Sequence, residues 1–207
     1  AMPEITIGFF PDVGSSYFLN KLERHWCLFL ALTGARLNST MSYGLGLCDY
    51  VVERSHWDKL KDCSNLEDII SHCKNLHQVE SFQEEHYRDL KCISDMKSID
   101  EFDQWARKYI DLPQAHPWIK SSLEIYLSDS PLSAKIIWSY FNWAHDKSIK
   151  ECFDMDYKLG VLMLDYSDFK EGVRALLIDK DKSPRWQFSN LAEIDWDTWK
   201  KFEDLFN

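Results

Sequence analysis

Two carboxylates stand eight residues apart in the opening stretch AMPEITIGFFPDVGSSYFL: Glu4 directly after Pro3, and Asp12 directly after Pro11. A carboxyl group held in apolar surroundings gains basicity and can take a proton from water, and a second carboxylate close by can orient that water or a substrate hydroxyl. Between them, Ile5-Thr6-Ile7-Gly8-Phe9-Phe10 alternates β-branched and aromatic residues, which predicts a short strand broken by Pro11-Asp12. Ile5, Ile7 and Phe9 would then desolvate Glu4. The same residues also have a plain structural reading, with Glu4 as a surface strand residue and Asp12 as the N-cap of the helix that follows.

Other chemistry-bearing patterns are thinner. His25, His56, His86, His116 and His145 form no triad, and the chain has neither a Gly-x-Ser-x-Gly elbow nor a glycine-rich phosphate loop. In SHCKNLH, Cys73 and His77 lie one helical turn apart with His72 adjacent, but no third ligand is offered, so no metal site is expected. Lys180, Lys182 and Arg185 in DKDKSPRW are the nearest approach to a basic cluster. They could meet phosphates, or they could be a solvated turn interleaved with Asp179 and Asp181.

The elements that must position these groups are mostly helical. Arg24 to Gly34 contains HWCLFLALTG, apolar almost all round and stopped by Gly34, which predicts a deeply buried helix. GLCDYVV reads as a turn and a second short strand ending at Val52. From about residue 53 the chain becomes charged, amphipathic and helical. Ser98 with Glu101, and Asp168 with Glu171, read as capping boxes, and Ser130-Pro131 as a cap followed by proline at the first helical position. The tail sets Trp196, Trp199, Phe202 and Phe206 at helical spacing, a core stripe or docking face. The 207 residues carry 34 acidic and 24 basic side chains for a net charge of −10, which disfavours nucleic-acid and anionic-membrane partners. No apolar run approaches the roughly 20 residues of a bilayer span. Six cysteines without a Cys-x-x-Cys pair read as reduced core residues.

Five stretches in register, MPEITIGFFPDVGSSYFL, LFLALTGARLN, GLCDYVV, SPLSAKI and DFKEGVRALLIDKDKSPRW, resemble the C-terminal part of the crotonase (enoyl-CoA hydratase/isomerase) superfamily, and within it the 3-hydroxyisobutyryl-CoA hydrolase branch. Asp12 helps choose the branch, because hydratases of the superfamily usually carry a small residue there. Gly14-Ser15 departs from the family's usual double glycine.

The resemblance implies a mainly α chain with a few short strands, the C-terminal portion of a crotonase-like ββα-spiral fold lacking most of the spiral. Residues 1–55 would be the remnant of the spiral core and 56–207 a helical region. It implies acyl-CoA thioester hydrolysis, with Glu4 as nucleophile or general base and Asp12 holding the substrate's 3-hydroxyl or the water. Gly8 and Gly14 become substrate-binding positions, and Lys180, Lys182 and Arg185 phosphate contacts. Coenzyme A enters as part of the substrate, with no separate cofactor. The segment that presents the oxyanion donors would precede Ala1, so no measurable hydrolase activity is expected of these 207 residues alone. An enoyl-CoA hydratase or isomerase and a non-catalytic helical interaction module are the rival readings. A homo-oligomer is expected, built on an uncovered HWCLFLAL helix and the opening arm. The expected compartment is the cytoplasm, or the mitochondrial matrix in a eukaryote.

Overall fold

The computed structural model of the protein describes residues 1–52, 54–74 and 82–206. Two compact units emerge, one formed by Ala1–Ala35 with His86–Asn207 and the other by Arg36–Glu85. In chain order the helices are α1 (Ser15–Leu19), α2 (Arg24–Thr33), α3 (Ser39–Gly44), α4 (Trp57–Lys61), α5 (Leu66–Lys74), α6 (Ile99–Tyr109), α7 (Pro117–Ser128), α8 (Pro131–Trp143), α9 (Ile149–Tyr166), α10 (Phe169–Val173) and α11 (Trp196–Phe206). Helices α3 to α5 belong to the smaller unit. There Asn38 caps α3 by accepting from the Met41 amide at 2.8 Å.

The larger unit is organised around α2. Nine of its ten residues are buried, and it lies against α7 and α8. Gly34 ends it in the left-handed conformation, its N–H returning to the Leu30 carbonyl at 3.1 Å. The buried helix expected from HWCLFLALTG is therefore present. It is already covered by its own chain, so it supplies no sticky face for self-association. Helix α6 packs on α7 and α8, and α11 closes over α8 and α9 with Trp199 and Phe202 buried.

No strand occurs among the described residues. Ile5–Phe10 is instead a 3-10 turn, Glu4–Ile7, closed by Gly8 at φ +66°. A lone strand would leave its N–H and C=O groups without a ladder. The turn pairs them internally, Thr6 N–H to the Pro3 carbonyl at 2.9 Å, Gly8 N–H to Ile5 at 2.9 Å and Phe9 N–H to Glu4 at 3.0 Å. The alternating residues still serve burial, since Ile5 and Phe10 are fully enclosed. GLCDYVV is irregular backbone with Tyr50 exposed, for the same want of a partner strand.

Capping follows the sequence in part. Ser130 accepts from the Ser133 amide at 3.1 Å with Pro131 at the first helical position. Ser98 accepts from Glu101 at 3.3 Å, while the Glu101 carboxylate reaches back to the Lys97 amide rather than to the cap residue itself. A reciprocal box that the reading missed, Ser148 with Glu151, starts α9. Asp168 caps nothing. It is buried, accepting from the Ser130 hydroxyl at 2.5 Å and the Gln187 amide at 2.7 Å, and so ties α8 to the C-terminal segment. Cys27, Cys48, Cys92 and Cys152 are free thiols. Of these, Cys27 and Cys152 are buried, but Cys92 is exposed and is no core residue.

Candidate active site

The opening turn is held against α10 by a glycine. A side chain at Gly172 would bring its Cβ to 2.3 Å from the Ile7 carbonyl carbon, so only glycine lets the two backbones meet there. This contact fixes where Glu4 begins the turn. One of the Glu4 carboxylate oxygens, Oε2, is buried and has no hydrogen-bond partner among the described residues. Burial pushes this carboxyl above its ordinary range. Its own backbone amide and the chain's amino terminus work in the opposite direction, and the negative charge of Asp12 adds to the rise.

Asp12 lies in the turn that feeds α1. Two consecutive left-handed residues follow it, Val13 at φ +51° and Gly14 at φ +73°. A β-branched residue at positive φ is a backbone outlier, a conformation that persists only where neighbours impose it. The neighbours are identifiable. The Gly14 N–H donates to Asp156 Oδ2 at 2.8 Å, and the Ser15 hydroxyl to the Pro11 carbonyl at 2.5 Å. The Asp12 side chain does not cap α1, whose N-cap is Gly14, and it makes no hydrogen bond or ion pair among the described residues. Its carboxylate is thus unengaged and close enough to both Glu4 and Asp156 for each to feel its charge.

Asp156 was not anticipated. It sits on α9, with Oδ1 accepting from the Tyr140 hydroxyl at 2.6 Å, and Tyr140 in turn accepts from the Ser16 hydroxyl at 2.9 Å. Burial raises the Asp156 carboxyl and the Asp12 charge raises it further, while its two hydrogen bonds pull it back. In the sequence Asp156 is one acid among several on an amphipathic helix, and Tyr140 counts as an apolar-face residue of α8. Only the approach of α8 and α9 to the Asp12 turn shows what they do.

The remaining expected positions have visible structural duties. Gly8 takes positive φ, and an added Cβ would lie 2.7 Å from the Asp168 carbonyl carbon. The one N–H of Gly14 is spent on Asp156. Lys180 and Lys182 are exposed, both at positive φ, and Arg185 is exposed with its backbone N–H on Glu171 at 2.7 Å. Their loop is gathered around Arg174, which pairs with Glu171 at 2.7 Å, Asp179 at 2.7 Å and Asp181 at 2.6 Å. Arg174 holds the Glu171 carboxyl down to about 2. The three outward cations thus stand on an acid-neutralised frame that follows directly from α10. His77, which the sequence sets one helical turn from Cys73 with no metal site expected, lies outside the described residues.

Two cavities lie apart from this cluster. A groove of about 360 Å³ runs between α6 and Ser189–Ala192, lined by Asp100, Asp103, Gln104 and Arg107. Beside it is a small cleft of about 20 Å³ reached by Asp129, enough for one water. No helix among the described residues is long and apolar enough to cross a membrane.

Comparison with known proteins agrees with this architecture. The family model described as enoyl-CoA hydratase/isomerase matches residues 1–202. Mitochondrial 3-hydroxyisobutyryl-CoA hydrolases from Dictyostelium discoideum and Homo sapiens are 33% and 31% identical, each alignment covering 94% of this chain and 53% or 52% of the relative. The chain spans about half the length of the curated relatives it matches. Crystal structures of an enoyl-CoA hydratase from Rhodobacter sphaeroides and a carnitinyl-CoA dehydratase from Mycobacterium thermoresistibile superpose with TM-scores of 0.74 and 0.79. Both are 23% identical over 98% of this chain and 58% of theirs, which shows a shared crotonase fold, here mainly helical. On the strength of the family match across nearly its whole length, the chain belongs to the enoyl-CoA hydratase/isomerase family.

Proposed function

We propose that this chain carries the proton-transfer half of an acyl-CoA thioester hydrolase of the 3-hydroxyisobutyryl-CoA type. The observation that carries the reading is the pair of neighbouring carboxylates, each with an oxygen left unpaired among the described residues. Glu4 presents a buried, unpartnered oxygen of raised basicity, and Asp12 lies within range of its charge with no bond of its own. Glu4 takes a proton from water as that water's oxygen bonds to the thioester carbon. The carbonyl electrons move to oxygen and return as the C–S bond breaks, and the departing thiolate takes up the proton. Asp12 orients the water or accepts from the 3-hydroxyl. Gly8 and Gly14 line the acyl side, and Lys180, Lys182 and Arg185 meet the phosphates of coenzyme A, which comes as part of the substrate.

Residues 1–55 are read as what this chain holds of the spiral core. No oxyanion donor is assigned among these 207 residues, so the isolated chain is expected to be inactive. The loss of a single such donor costs about 10²–10³ in rate. The similarity to mitochondrial relatives supports a mitochondrial location. A hydratase would use the same Glu4 to move a proton at carbon. Parallel assays of the protein translated from the whole reading frame separate the two: release of free CoA from 3-hydroxyisobutyryl-CoA supports hydrolysis, and hydration of an enoyl-CoA without CoA release overturns it.

A second reading, assembly, has its own observation. Ile149, Phe153, Tyr157, Val161 and Leu164 follow one another along α9 at helical spacing and are 46–76% exposed. Val13 and Phe18 of the opening arm are exposed too, and the Phe153 ring lies against Gly14 of that arm. An apolar face of this kind is suited to a second copy of the chain.

A further inference from the structure

We propose that Asp156 and Tyr140, with Ser16 behind them, are positioning residues that hold the strained Val13–Gly14 turn and thereby aim the Asp12 carboxylate at the space beside Glu4. The proposal rests on the catalytic reading of Glu4 and Asp12, and it assigns duties to Tyr140 and Asp156, which stand 128 and 144 positions beyond Asp12 in the chain.

Three features of the geometry support it. First, the turn needs an external hold. Val13 sits at φ +51° with its side chain largely exposed, so nothing in its own packing selects that conformation. Second, the hold is specific. The Gly14 N–H meets Asp156 Oδ2 at 2.8 Å, the Tyr140 hydroxyl fixes the other oxygen at 2.6 Å, and Ser16 donates to Tyr140 at 2.9 Å, so both carboxylate oxygens are committed. A charged acceptor on a backbone amide makes a strong hydrogen bond, and a second donor fixes its rotamer. Third, the hold is anchored. Tyr140 is wholly buried, meets Phe10 edge-on at 5.5 Å and has the Phe206 ring of α11 stacked at 6.4 Å, with the Cys152 carbonyl at 3.0 Å as an alternative acceptor. Asp12, whose side chain makes no bond among the described residues, is aimed by the turn that carries it, which Ser15 holds from within and Asp156 from outside. Because Asp156 spends both oxygens on the hold, it is not a candidate base.

The test reads the turn directly, in the 207-residue chain, by NMR. Carboxyl titration of Glu4 responds first to its burial, then to its own backbone amide, the charge of Asp12 and the amino terminus. Tyr140→Phe leaves the charge of Asp156 in place and touches none of the other three, so a fall at Glu4 is the signal of Asp12 moving away. The Glu4 midpoint is expected to fall as a like charge drifts away. The Gly14 amide proton, shifted downfield by its carboxylate partner, is expected to move upfield in Asp156→Leu, which keeps the branching but has no acceptor, and to be largely restored in Asp156→Asn, whose carbonyl still accepts. A role that does not involve the acceptor would leave the Gly14 amide alike in the two variants. Should Tyr140→Phe fail to fold, Ser16→Ala removes only the outer hydroxyl, and a smaller shift of the same sign is expected. Folded variants in which neither the Glu4 midpoint nor the Gly14 amide moves overturn the proposal. Thioester assays are independent of these signals. Shifts seen in the 207-residue chain, with no thioester cleavage by the protein of the whole reading frame, would sink the catalytic reading and leave the hold intact. Cleavage that needs Glu4, with an unmoved turn, would sink the hold alone.

Discussion

Glu4 keeps its proton more tightly than a solvated carboxyl because water is excluded from one of its oxygens, and because Asp12 opposes a second negative charge beside it. In the whole protein, kcat/KM for thioester cleavage should therefore fall as pH drops through a midpoint above the ordinary glutamate range, and Asp12→Asn should lower that midpoint. A pH–rate profile checks both. Asp129 offers a separate test. Burial pushes its carboxyl up to about 7 from an ordinary 3.8, and its Oδ2 has no hydrogen-bond partner among the described residues. The sign follows from the raised value: the folded state binds the proton more tightly, so this stabilisation is complete below about pH 4 and is lost as pH rises through about 7. Asp129→Asn should then gain on the order of 1–3 kcal/mol at pH 8 and little or nothing at pH 4, as read by denaturant melts at the two pH values. Equal effects at both would remove the buried carboxylate as the cause.

At the scale of elements, the opening turn stands on α10 through Gly172. Gly172→Ala should cost about 1–3 kcal/mol from overpacking, and it should reduce thioester cleavage as Glu4 is displaced. Thermal melts and rate measurements on the same variant check this, and an unchanged protein would show that the contact is not tight. What was legible in the sequence divides along the same line. The helix α2, its glycine stop and the Ser130-Pro131 start are local, each written in a few adjacent residues and each present. Glu4 and Asp12 stood out for the same reason, two Pro-flanked acids in an apolar stretch. The strand at Ile5–Phe10 was misread because alternation gives burial and not pairing, and no partner strand is present among the described residues to distinguish strand from turn. Asp156 and Tyr140 could not be read at all. Their role comes from bonds spanning 142 residues between Asp156 and Gly14 and 124 between Tyr140 and Ser16, and nothing local marks either end. Asp168 shows the converse: spaced like a capping acid, it was drawn inward by Ser130 and Gln187.

For the molecule as a whole, the apolar residue left in solvent is concentrated on α9, a helix of 18 residues and so about 27 Å long. Self-association through this face and the opening arm is expected, giving a dimer or larger species by light scattering at micromolar concentration. Tyr157→Glu with Val161→Glu should shift it to monomer without loss of helical signal. A wild-type monomer at that concentration would contradict the expectation. The net charge of −10 also bears on the ligand. On the proposed function coenzyme A would be met by local cations, and replacing Lys180 and Lys182 with glutamine should then raise KM with kcat nearly unchanged, since such contacts act on ground and transition state alike.

The central claim is that Glu4 moves the proton. The measurement that bears on it most directly is the single-turnover rate of CoA release from 3-hydroxyisobutyryl-CoA, taken on the protein of the whole reading frame with Glu4 and with Glu4→Gln. A fall of roughly 10²–10⁴-fold with folding and CoA binding retained is the predicted result. A Glu4→Gln protein that cleaves the thioester at the wild-type rate would contradict it.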